Sequence, residues 1–226
     1  HDQFLGRHPH FFRQCRHIQH LLRAPNLFAV GARVRSDWLA AFLENPHDIR
    51  PHLEDSMPQM NLDPQQIGTL IRYLQATARL AGQEPPAPEE MRQEVEADRQ
   101  ARQQPGVVVR LERGQKVFQE QKCFNCHQFG NMKFDDRHGI ATWDGGRAEA
   151  PNLRFVRDRL LRRTAKAWIR DPLSMDPATR MPQHKLTEAE LDDLVEFLFL
   201  AEPGKPAAPP PAKPPAAAPD GKATCE

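Results

Sequence analysis

No stretch of this 226-residue chain is apolar over the roughly 18 residues that a membrane-crossing helix needs; the best run, Leu194 to Ala201, is short and contains Glu196. A secretory leader is also missing, and the chain starts at His1 rather than Met, which points to an N-terminus lost by processing or trimming. Charge of one sign is not in excess either. Lys and Arg number 31 against 30 Asp and Glu, a net charge of +1, so there is no concentrated basic face and no reason to expect nucleic acid as a partner. Cysteine is scarce at four residues, too few to indicate a compartment by count alone. Proline is abundant: 22 residues and a mean hydropathy of -0.70 call for long exposed connectors, in a length that holds one large or two small domains.

Two of the four cysteines stand in Cys123-Phe124-Asn125-Cys126-His127. C-x-x-C-H is the attachment signature of c-type haem: two thiols add across the porphyrin vinyl groups, and the adjacent imidazole ligates the iron. A spacing of two lets both thiols reach one porphyrin edge, with the histidine under the metal. A redox dithiol would sit beside a βαβ pattern, and a structural zinc site would need a second Cys/His pair nearby. The sequence offers neither.

An iron held by one histidine needs a sixth ligand, water or an open face, and the choice separates electron transfer from catalysis. Methionine suits electron carriers, because its soft thioether favours ferrous iron. Met181-Pro182-Gln183 lies just before a helix start at Thr187-Glu188-Ala189-Glu190, a capping-box pattern. With Gly114 and Phe118 on a first helix, Cys123 to His127, Ala150-Pro151-Asn152-Leu153, Trp168, Met181-Pro182 and a closing helix bearing Phe197, residues 107–201 resemble the class I cytochrome c family in motif order. The resemblance implies an all-α fold, one covalent haem c, His127 as proximal and Met181 as distal ligand, and Pro151 among the cofactor-binding residues. It also implies that an arginine and a tryptophan reach the haem propionates. Trp168 is the tryptophan; Arg159 and Arg163 both qualify as the arginine, and the other arginines of 154–163 are read as surface. Met175 and His184 compete with Met181, and a histidine there would lower the potential. In the long loop from Gln128 to Glu149, Trp143 is read as covering the haem edge or filling a gap, and His138 as a reserve ligand.

The first part of the chain repeats the second. Ala24-Pro25-Asn26-Leu27 duplicates Ala150 to Leu153, Trp38-Leu39 echoes Trp168-Ile169, and Met57-Pro58-Gln59 repeats Met181-Pro182-Gln183. Asp63-Pro64-Gln65-Gln66 starts a helix as Thr187 to Glu190 does. Ile67, Leu70, Ile71 and Leu74 then keep the helical spacing of Leu191, Leu194, Val195 and Leu198. Residues 1–80 are therefore read as a cytochrome c-like module with a degenerate haem site. Cys15 falls where Cys123 does, but the second thiol position is Ile18 and the ligand position Gln19, with His20 one residue late and Pro9 inside the expected helix. Three readings stay open: a haem on Cys15 ligated by His20 or His17 opposite Met57 or Met60, a module that has lost its haem, and a damaged N-terminal segment.

Residues 81–106 are polar and read as a linker with a solvated helix from Glu89 to Gln103. Residues 202–226 read as a disordered Pro/Ala-rich tail ending near Cys225. The resemblance implies an extracytoplasmic, periplasmic address and redox protein partners. The expectation is one-electron transfer by a tethered carrier or a subunit of a membrane respiratory complex. The alternative is the haem subunit of an oxidoreductase or a di-haem peroxidase-like enzyme, with the first module used for docking.

Overall fold

Residues 27–50, 57–132, 134 and 150–203 are described in the computed structural model, and among them the only regular structure is helical. In the first half, α1 (Val30–Arg33), α2 (Ser36–Glu44) and α3 (Pro64–Leu80) gather around Val34, Leu39, Leu43 and Ile67, with Trp38, Met57, Leu62 and Leu74 packed on them. Then come α4 (Pro88–Gln103) and α5 (Val107–Glu120), followed by the short turns and helices that precede α6 (Val156–Arg159), α7 (Arg162–Arg170), α8 (Pro172–Met175) and α9 (Glu188–Leu200).

Local chemistry sets the helix starts. At α3 the Asp63 carboxylate accepts from the Gln66 N–H at 2.8 Å, and the Gln66 side chain accepts from the Asp63 N–H at 2.9 Å. At α9 the Thr187 hydroxyl and the Glu190 carboxylate make the same reciprocal pair, at 3.3 and 2.7 Å. Each pair satisfies backbone donors that the first helical turn leaves without partners.

α5 and α9 cross at Gly114. A Cβ there would lie 2.1 Å from the carbonyl oxygen of Asp193 and 2.5 Å from Cβ of Phe197, so only glycine admits this approach. Phe118 and Phe197 then meet with ring centroids 5.7 Å apart, and Phe129 joins them. The first half has its own close crossing, since a Cβ on Gly31 of α1 would lie 2.3 Å from the Leu74 carbonyl oxygen of α3.

The two halves share an element pattern. A helix of 4 residues, two linking residues and a helix of 9 residues occur at Val30–Arg33 with Ser36–Glu44, and again at Val156–Arg159 with Arg162–Arg170. In this register Arg33 corresponds to Arg159. Trp38 corresponds to Thr164, and Trp168 to Phe42, so the two tryptophans do not echo each other by position. With the two helices laid in this register, the tryptophan positions differ by one helical turn on the same face, which is why motif spacing alone confuses them.

The connecting segment is more than a solvated spacer. α4 forms over nearly the expected span, yet Met91 and Asp98 are buried and its carboxylates are used by the second half. Asp98 pairs with Arg162 at 2.6 Å, Glu94 accepts from the Arg162 N–H at 2.9 Å, and Glu90 pairs with Arg163 at 2.6 Å. Arg102 donates to the Phe199 carbonyl at 2.9 Å, and Arg162 stacks on the Phe199 ring at 5.1 Å. This cover explains why Phe199 and Leu200, off the expected apolar stripe of α9, are buried. At the far end Pro203 is buried, and its carbonyl accepts from Asn131 N–H at 2.8 Å, so the first residues assigned to the tail are docked. Residues 204–226, with Cys225, lie outside the described residues.

Candidate functional site

The segment from Cys123 to His127 winds into a tight turn. Lys122 enters it at φ 56, in the left-handed region, and Cys123–Asn125 forms a 3-10 helix. The Cys123 carbonyl accepts from both Cys126 N–H at 3.2 Å and His127 N–H at 3.0 Å, which folds thiols and imidazole onto one small arc. Both thiols are free; Cys126 is exposed and Cys123 half-buried against Phe124 and the second-half core. Burial pushes the Cys123 thiol up to about 12, opposite to the lowered value that a reactive dithiol requires. Among the described residues no cluster of three or more His, Cys, Asp or Glu is arranged to hold a metal ion by itself.

His127 is oriented from behind. Its Nδ1 lies 2.8 Å from the Pro151 carbonyl oxygen, and since a carbonyl can only accept, Nδ1 carries the proton and Nε2 keeps its lone pair. Burial, helped by the nearby His184 and opposed by the Pro151 bond, holds the imidazole below its usual protonation range. A neutral ring with Nε2 available is the form that binds iron.

Asn152 locks this arrangement. Its side chain accepts from Gly130 N–H at 3.0 Å and Arg154 N–H at 3.1 Å, and donates to the Gln128 side chain at 3.0 Å. The Gln128 carbonyl accepts from Leu153 N–H at 2.8 Å. The Pro-Asn-Leu motif is therefore a clasp on the residues just after His127. Sequence reading marked the motif without finding this role; its repetition at residues 25–27 was the available signal.

Met181 is half-buried on the same core as Cys123, Phe134 and Leu160, while Met175 lies in a groove beside Ala32 and Arg33 of the first half. His184 bonds Gln121 at 3.1 Å and lies near enough to His127 to influence its charge. The two candidate arginines are in different settings. Arg163 is engaged by Glu90 at the surface, whereas the Nε of Arg159 is sealed from solvent with no hydrogen-bond partner. Burial, with like charge from Arg50, pushes Arg159 down to about 10. The Nε atoms of Arg33, Arg50 and Arg154 are also buried and unpartnered. Of the arginines expected at the surface, Arg162 is tied to Asp98, and Arg157 to the Ala201 carbonyl and Glu202.

Trp168 does not meet Arg159. Its ring faces Arg33 of the first half, with the guanidinium carbon 5.7 Å from the ring centroid, while Arg159 lies 5.6 Å over Trp38. The halves thus exchange their arginine-tryptophan contacts. Backbone bonds run beside this exchange, from Arg35 N–H to the Arg159 carbonyl at 2.8 Å and from Asn152 N–H to the Ile49 carbonyl at 2.7 Å.

These residues fit a covalently attached haem on the evidence of their chemistry. Two free thiols flank a turn, a neutral imidazole offers one lone pair, and arginine Nε donors sealed from solvent without partners suit the two carboxylates that a haem carries. Cys15, His17 and His20, the other possible attachment residues, lie outside the described residues, as do His138 and Trp143; Met57 is half-buried on the first-half core and Met60 is exposed. No described helix is long and apolar enough to cross a membrane.

Residues 111–199 match the family model for cytochrome c. That match supports a c-type cytochrome domain over these residues, with covalently bound haem c and haem-based electron transfer as its general chemistry. No curated protein and no solved structure matches the chain.

Proposed function

We propose that the protein is a one-electron carrier whose second half binds a single haem c through Cys123 and Cys126, with His127 and Met181 as axial ligands. The observation that carries this reading is the His127–Pro151 contact, which supports a neutral imidazole fixed beside two free thiols. When bound, the haem supplies an iron that gains and loses one electron. The chain's own residues do the rest. Pro151 and Asn152 hold His127 in one orientation, and Arg159 offers a buried positive charge to a propionate, a role for which the surface pairing of Arg163 with Glu90 makes that residue the poorer candidate. The apolar core of Phe118, Phe129 and Phe197 keeps water away.

Residues 1–80 are, in the same proposal, a first copy of the module. The repeated helix pattern and the matching capping boxes support that descent. The protein works outside the cytoplasm, as a subunit that hands electrons to or from a respiratory membrane complex. The docked helix α4 favours a compact two-part unit over a flexibly tethered carrier. Intact-mass measurement of the matured full chain tests the proposal. One haem addition, lost in Cys123→Ala with Cys126→Ala, is the expected result; no addition overturns it, and two would assign a haem to Cys15 as well.

A further inference from the structure

The segment His47 to Arg50 of the first half packs against the loop from Asn152 to Phe155 of the second half, which follows the Pro151 that orients His127. Ile49 accepts from the backbone of Asn152, the residue next to the one that orients His127. His47 lies 5.2 Å from Phe155, ring to ring, and Phe155 carries the Arg154 guanidinium at 4.2 Å. Arg50 follows directly, close enough to Arg159 for their like charges to interact. Both have Nε atoms sealed from solvent without a hydrogen-bond partner, and Trp38 backs Arg159 from the first-half side. Each sealed Nε is a donor without a partner on one of two like-charged neighbours, and an anion between the two side chains would satisfy both.

We propose that Arg50 and Arg159, one from each half, jointly hold the propionate carboxylates of the haem in the second half. The first half is then a working part of that redox site and raises its potential, whether or not it carries a haem itself. This inference rests on the haem reading above.

The test compares Arg50→Gln, Arg50→Lys and the exposed control Arg72→Gln in the matured full chain. Removing a positive charge beside the haem disfavours the electron-rich ferrous state. Arg50→Gln should therefore keep its haem and its sulfur-to-iron absorption, and shift the equilibrium toward ferric about tenfold, a fall of about 59 mV for one electron. Arg50→Lys should recover most of the shift, and Arg72→Gln should show less than twofold. An Arg50→Gln shift no larger than the control's overturns the inference while leaving the haem reading intact, whereas wild-type protein without haem fails that reading first. If Arg50→Gln does not fold, the resonance Raman propionate-bending band of Arg50→Lys decides. It should move relative to wild type, and an unchanged band overturns the inference.

Discussion

His127 and Pro151 are joined through a side-chain N–H and a backbone carbonyl 2.8 Å apart, 24 residues distant in the chain. The contact persists because Asn152, one residue on, ties three other groups of the same loop together. Asn152→Ala should leave donors at Gly130 and Arg154 without partners and cost about 1–3 kcal/mol in denaturant unfolding. Asn152→Asp keeps both acceptor contacts, loses only the bond to Gln128, and should cost less than the alanine.

The crossing of α5 and α9 makes a paired prediction about glycine. Gly114→Ala gains about 1 kcal/mol in helix propensity but forces a methyl against the Asp193 carbonyl at 2.1 Å and Phe197 at 2.5 Å. The net result should be a loss of about 1–3 kcal/mol. At Gly68 of α3 the nearest atom is the tip of Arg72 at 3.4 Å, so Gly68→Ala should stabilise by about 0.5–1 kcal/mol. Equal effects of the two would contradict the described crossing.

Helix α4 is held by pairs of unequal worth. Asp98 is buried and faces Arg162 at 2.6 Å, so Asp98→Ala leaves the guanidinium only its longer pairing with Glu196 at 3.5 Å and should cost about 1–3 kcal/mol. Glu90 and Arg163 are mostly in water, with side chains 39% and 51% exposed, and Glu90→Ala should cost about 0–1 kcal/mol. Limited proteolysis within 88–103 should accelerate in the first variant and barely change in the second.

Glu94 sets a pH dependence. Burial raises its carboxyl above the ordinary 4.5, against the pull of the Arg162 N–H. The native state then binds this proton more tightly than the unfolded chain does. The contribution favouring the fold is present in full below about 4.5 and is lost as pH rises through the native value. Glu94→Gln removes that loss, so its stability relative to wild type should climb with pH above 4.5 and then level off. A difference that is flat, or that falls, across denaturation curves from pH 4 to 8 would contradict the assigned burial.

Short-range chemistry was readable from the residues alone. Capping boxes lie within four positions and the attachment turn within five, and each depends on local spacing. Relations across the chain were not. Glu90, Glu94 and Asp98 look like a solvated charge run until Arg162 and Arg163, more than sixty residues away, come to meet them. The same holds for Arg50, an unremarkable basic residue in sequence that turns up beside Arg159 through the packing of the halves. Tryptophan spacing misled for a geometric reason: positions one turn apart share a helix face, so Trp38 and Trp168 look equivalent although their places in the two helices differ by one turn.

The measurement closest to the central claim is the near-infrared absorption of the ferric, matured protein. An iron clamped between His127 and Met181 gives the weak sulfur-to-iron band, and that band should vanish in Met181→Ala while the reduced variant begins to bind carbon monoxide. A wild-type ferric spectrum without the band would contradict the account, and its appearance in wild type with loss only in Met175→Ala would move the distal ligand to Met175.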